Sequence, residues 1–102
     1  MNQPPPADAS VASHERREVQ YFGHVQGVGF RYTARAVAQR FNVTGFVCNL
    51  PDGSVRLVAE GRRDELDRFL GAVRDEMGRY IKTVDVQTSA ATGGFDGFSI
   101  RM

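Results

Sequence analysis

Cysteine is nearly absent from this chain of 102 residues: Cys48 stands alone. No intramolecular disulfide can form, so the fold must rest on a packed core. Histidine is almost as scarce. His14 and His24 lie ten residues apart with no ligand-like spacing around them, so a metal site is not expected; no other cofactor is expected either. Long apolar runs are missing too. No membrane span is expected and no secretory core follows Met1, which makes the cytoplasm the expected location. The sequon Asn42-Val43-Thr44 is set aside on the same ground, because glycosylation needs an export route. Lysine is reduced to Lys82, and twelve of the 13 basic residues are arginine. Twelve acidic residues bring the net charge to +1. That balance leaves no basic stripe for a nucleic acid. The arginine surplus reads as codon bias on a solvated surface, so an arginine must be singled out by its position.

What is present fits one globular domain, with 41% hydrophobic and 25% charged residues. Residues 1–18 read as a flexible tail. They carry Pro4-Pro5-Pro6 and the charged cluster Glu15-Arg16-Arg17-Glu18, with almost nothing to bury. The domain is expected over 19–102. Val19 to Val25 alternates as a strand, with His24 in its course, and Tyr32 to Phe41 follows helical spacing through Ala34, Val37, Ala38 and Phe41. Thr44 to Leu50 and Ser54 to Glu60 read as strands joined by the turn signal Pro51-Asp52-Gly53. Asp64 is suited to cap a second helix with the stripe Leu66, Phe69, Leu70, Val73 and Met77, and Gly78 to stop it. Tyr80 to Thr88 reads as a fourth strand, Ala90 to Gly97 as a loop and Phe98-Ser99-Ile100 as a short closing strand. The order βαββαβ plus a terminal strand implies an α+β, ferredoxin-like two-layer sandwich. Its antiparallel sheet would carry both helices on one face.

Such a fold hosts many functions, so function must be sought in a site. The stretch Gln26-Gly27-Val28-Gly29-Phe30-Arg31 leaves a strand and enters a helix, whose first N–H groups have no intrahelical partner. Two glycines allow successive N–H groups to turn toward one anion, and Arg31 adds a planar fork of donors. The same spacing also fits a plain tight connection with a surface arginine. Neither the Walker spacing nor a third glycine for a dinucleotide fingerprint is present. Asn49, before the turn, has an amide able to hold a water and a substrate oxygen together, or simply to satisfy its own backbone. A cysteine phosphatase would need an arginine six positions after Cys48, and Ser54 stands there. Ser/His/Asp triads find little support, since the domain offers only His24, and Asp52 and Asp64 have simpler readings as turn and cap.

Gly23-His24-Val25-Gln26-Gly27-Val28-Gly29-Phe30-Arg31 resembles the first signature of the acylphosphatase family. Gly45-Phe46-Val47-Cys48-Asn49-Leu50-Pro51-Asp52-Gly53-Ser54-Val55 is similar to its second. Val58-Ala59-Glu60-Gly61 and Phe98-Ser99-Ile100-Arg101 match later segments, so the likeness spans Val19 to Met102. The resemblance implies a ferredoxin-like enzyme that hydrolyses acyl phosphates without metal or phosphoenzyme. By position, Arg31 would bind the phosphate, the Gln26–Arg31 backbone would cradle it, and Asn49 would orient the attacking water. It implies a small-molecule acyl phosphate as substrate, with inorganic phosphate or a similar anion able to occupy the loop. A monomer is the simplest state for one small domain. Many members carry Trp or Tyr at the place of Phe46 and a basic residue at that of Cys48. Activity is expected to survive both changes, because strand alternation turns Cys48 away from Asn49. A non-catalytic anion- or RNA-binding module is the alternative, although Val55-Arg56-Leu57-Val58-Ala59 lacks the aromatics an RNA-binding strand would show.

Overall fold

The structure, a computed structural model, describes residues 14–102. Residues 1–13 of the expected tail lie outside the described residues. The elements run β1 (His14–Gly23), α1 (Phe30–Ala38), β2 (Val43–Asn49), β3 (Val55–Arg62), α2 (Arg63–Met77), a 3-10 turn (Gly78–Tyr80), β4 (Ile81–Ala90) and β5 (Phe98–Arg101). One sheet holds all five strands in the order β4-β1-β3-β2-β5.

Register explains which side chains meet. Val19 lies opposite Leu57 in β3 and Leu57 opposite Val47 in β2, while Tyr21 and Asn49 both flank Val55. These positions share one face. Their apolar members pack with Phe30, Ala34 and Val37 of α1 and with Leu66, Phe69 and Val73 of α2 in a single core. Both helices therefore cover the same face, as period-2 strands against period-3.6 helices require. Each fully buried Val, Leu or Phe in this layer contributes about 1.5–3 kcal/mol of transfer free energy.

Several expectations need correction. The sheet is antiparallel over four strands, but β5 runs parallel to β2. The chain leaves β4 at the end of the sheet where β1 begins, crosses to β2, and can only enter there in β2's direction. β1 begins at His14, inside the stretch expected to be tail through residue 18. Its charges are tolerated because each side chain of the cluster finds a partner. Arg17 pairs with Glu15 and Asp67, Arg16 with Glu60, and Glu18 with Arg56. His24 is not within a strand. It follows β1, is exposed, and its N–H donates to the Tyr80 carbonyl at 2.9 Å. Asp64 does not cap α2. Arg62 holds the cap position, and Asp64 lies inside the first turn, where its carboxylate accepts from the Glu65 N–H at 3.0 Å. An anion there still complements the helix dipole. Gly78 ends the α-helix in a right-handed conformation, and the chain tightens into the 3-10 turn, so β4 starts at Ile81 and Tyr80 falls outside it.

Helix α1 also starts two residues earlier than its apolar spacing suggests and ends at Ala38. Beyond it, the N–H groups of Gln39, Arg40 and Phe41 donate three residues back, to Ala36, Val37 and Ala38. This tightened last turn still delivers Phe41 onto Phe69, with ring centroids 6.2 Å apart. No helix among the described residues is long and apolar enough to cross a membrane.

Candidate active site

The loop between β1 and α1 and the turn between β2 and β3 lie at the same end of the sheet, because β1 and β2 finish there. Gly27 and Gly29 adopt φ of +78° and +80°, a left-handed conformation that favours glycine. A Cβ added at either would meet nothing within 4 Å, so the space beside them is open and the glycines answer to backbone shape alone. Gly29 forms the cap of α1 with no side-chain hydrogen bond, and its carbonyl accepts the Thr33 N–H at 3.0 Å.

The backbone N–H groups of Gln26, Gly27, Val28 and Gly29 have no partner among the described residues. Those of Phe30, Arg31 and Tyr32 open the helix and have no intrahelical acceptor. A row of donors thus runs through the loop into the dipole's positive end, an arrangement suited to an anion.

The structure brings the two side chains singled out from the sequence to one place. A recess of about 110 Å³ is lined by Val25, Gly27, Gly29, Phe30, Arg31, Tyr32 and Asn49. Arg31 and Asn49 are both half-buried. The Arg31 Nη1 donates only a weak bond, to the sulfur of exposed Met102 at 3.5 Å. Asn49 is the last residue of β2, held opposite Val55. Of the remaining loop residues, Gln26 and Val28 do not line this recess. Val28 packs against the core, and Phe30 is buried in it 4.8 Å from the Tyr21 ring. His24 is not at the recess either. A wider groove of about 250 Å³ between α2 and β4 is lined by none of the loop residues.

The turn after Asn49, in which Asp52 is expected, is also braced by Ser54, Gln20 and Gln26. The Ser54 hydroxyl donates to Asp52 and accepts from the Gln20 carboxamide at 2.9 Å, while the Ser54 N–H also donates to Asp52. The Ser54 hydroxyl and amide hold the Asp52 carboxyl below the usual carboxylate range. An Asp two residues before a Ser is a recognisable turn pattern and offered a signal for this brace. The Gln26 carboxamide, bonded to the same turn, gave none. Cys48 faces the other way, with Arg56 and Arg101 as its cross-strand neighbours.

Among the described residues, no three His, Cys, Asp or Glu side chains are grouped so as to hold a metal ion. A family model described as acylphosphatase matches residues 17–100. An acylphosphatase of Salinibacter ruber is 44% identical over 92 residues, covering 89% of this chain and 97% of that one. The crystal structure of acylphosphatase from Bacillus subtilis superimposes with a TM-score of 0.78 at 31% identity, covering 86% of this chain and 99% of its own. The structure of an acylphosphatase from Coxiella burnetii gives a TM-score of 0.76 at 29% identity, covering 87% of this chain and 94% of its own.

Proposed function

The chain belongs to the acylphosphatase family, and from that premise we propose that it hydrolyses acyl phosphates to a carboxylate and inorganic phosphate at the recess between the Gln26–Arg31 loop and Asn49. The observation that carries this reading is the row of unpartnered amides from Gln26 to Gly29, beside a recess that Arg31 and Asn49 share.

In this reading the phosphoryl group of the substrate sits in the loop. The amides and the Arg31 fork neutralise charge as it shifts among the phosphoryl oxygens. The Asn49 amide holds a water in line with the departing group. The water oxygen forms a bond to phosphorus while the bond from phosphorus to the acyl oxygen breaks, and the carboxylate leaves with that electron pair. No Asp, Glu or His lines the recess. The water's proton therefore passes to an oxygen of the transferring phosphate itself. The carboxylate is a good leaving group and needs no acid. The scheme uses no metal and forms no phosphoenzyme.

Both working side chains come from one chain, which supports action as a monomer. The partner is a small acyl phosphate in the cytoplasm, with no nucleic acid or membrane involved, and inorganic phosphate can occupy the loop as product. The test is hydrolysis of benzoyl phosphate by the full chain in excess EDTA. Turnover that EDTA leaves unchanged is the expected result. A folded protein that binds phosphate without turnover would contradict the reading and leave an anion-binding module in its place.

A further inference from the structure

We propose that the side chain of Gln26 is a positioning residue that sets Asn49 against the phosphate loop; the inference rests on the function proposed above. Its carboxamide nitrogen donates to the Leu50 carbonyl at 2.8 Å and to the Ser54 carbonyl at 2.9 Å. Both hydrogens of that nitrogen are thereby used. The two acceptors are the carbonyls that close the turn after Asn49. Ser54 also accepts the Leu50 N–H at 2.9 Å, and Leu50 accepts the Gly53 N–H at 3.1 Å. Gln26 takes the second lone pair of each.

These two are the hydrogen bonds that join the 24–29 loop to the 50–54 turn among the described residues. Arg31 is fixed by the first turn of α1, and Asn49 by the last pair of β2 with β3. The two groups sit on segments 18 positions apart in the chain, and Leu50 already lies outside the strand. Dispersion contacts have little directionality and set no angle between two segments. A pair of hydrogen bonds from one nitrogen fixes both distance and angle. A displacement of about 1 Å at a water-orienting group lowers the rate by roughly a hundredfold. The residue type also fits. A neutral primary amide supplies two donors without placing a charge beside the phosphate. Glutamate has the length but no donors, and asparagine is one methylene too short.

The test compares wild type, Gln26→Met, Asn49→Ala and the double variant in hydrolysis of benzoyl phosphate, with inorganic phosphate as inhibitor. Methionine keeps the length and deletes both donors. The expected result is a fall in kcat of roughly ten- to a hundredfold in Gln26→Met. KM and the inhibition constant for phosphate should stay within about twofold, and the same substitution should change kcat by no more than about twofold in the Asn49→Ala background. An unchanged kcat in folded Gln26→Met overturns the inference. So does a loss confined to KM and phosphate inhibition, or an equal fall in both backgrounds. If Gln26→Met does not fold, Gln26→Asn takes its place with the same expectations. No turnover by the wild type would overturn the proposed function and this inference together, whereas turnover indifferent to Gln26 removes the inference alone.

Discussion

Two glycine-bearing loops sit at opposite ends of the sheet and use their backbone N–H groups in opposite ways. In the 91–97 loop, the N–H groups of Thr92 and Gly93 donate to the buried Glu60 carboxylate at 3.0 and 2.8 Å, and the Thr92 hydroxyl adds a bond of 2.8 Å. Arg16 stands 3.6 Å from the same carboxylate. Burial pushes the Glu60 carboxyl up, but these donors and Arg16 outweigh it and hold it below the usual glutamate range. In the 26–31 loop the amides have no such anion. The chemistry is the same in both places, and only the supply of the anion differs. Where the fold brings its own carboxylate, the loop becomes a strap. Thus anchored, it lays Phe95 against Phe46, with ring centroids 5.8 Å apart, and shields the open face of the sheet. Where the fold supplies none, the amides from Gln26 to Gly29 stay unpaired among the described residues, which is the feature on which the proposed function rests.

The strongest way to break this contrast is to remove the cation from the open loop. Arg31→Ala is expected to lower kcat/KM by roughly a thousandfold or more, the scale of an arginine clamp on a phosphoryl group, and to weaken phosphate binding. Its melting temperature should stay near that of wild type. Near-wild-type turnover would take Arg31 out of its role. Next in size, Asn49→Ala should lower kcat by about a hundredfold while phosphate inhibition is largely retained. A change in KM alone would make Asn49 a binding group, not a water-orienting one.

The strap responds to the opposite treatment. Glu60→Gln removes the internal charge and should destabilise the fold by about 1–3 kcal/mol, with little effect on kcat in folded protein. The effect depends on pH. A depressed carboxyl contributes stability that is complete above the ordinary glutamate pKa of about 4.3. That stability falls away as pH drops toward and through the lower folded value. The gap in melting temperature between wild type and Glu60→Gln should therefore be widest near neutrality and close on acidification below about pH 4. A gap that stays constant with pH would mean that Glu60 acts by shape alone. Smallest of all, Cys48→Ser on the strap's face of the sheet should leave kcat/KM within about twofold. A larger loss would show that the two faces communicate.

Much of the frame was legible in the residues because its signals are local. Val19 and Tyr21 alternate, and Leu66, Phe69, Val73 and Met77 recur at helical spacing, so strands and helices follow from period alone. The start of β1 was not legible. Glu15-Arg16-Arg17-Glu18 looks like a solvated tail until Glu60 and Asp67, more than forty positions away, arrive as partners. Asp64 misled for a related reason, since an acid in the first turn of a helix resembles a cap one position away from where the helix begins. At the site, Arg31 and Asn49 could each be named from their local motif, and family resemblance paired them. Their meeting at one recess depends on register between β1, β3 and β2, which no spacing encodes. The tie made by Gln26 was hidden most completely, because its acceptors are backbone carbonyls, a group every residue carries.

A phosphate titration of the 15N-labelled chain, followed by amide resonances, distinguishes a loop filled by the protein's own carboxylate from one open to an anion. Saturable shifts are expected at Gly27, Val28, Gly29, Phe30 and Arg31, while Thr92 and Gly93 stay in place. Shifts at Thr92 and Gly93, or none in the 26–31 loop at saturating phosphate, would contradict that distinction.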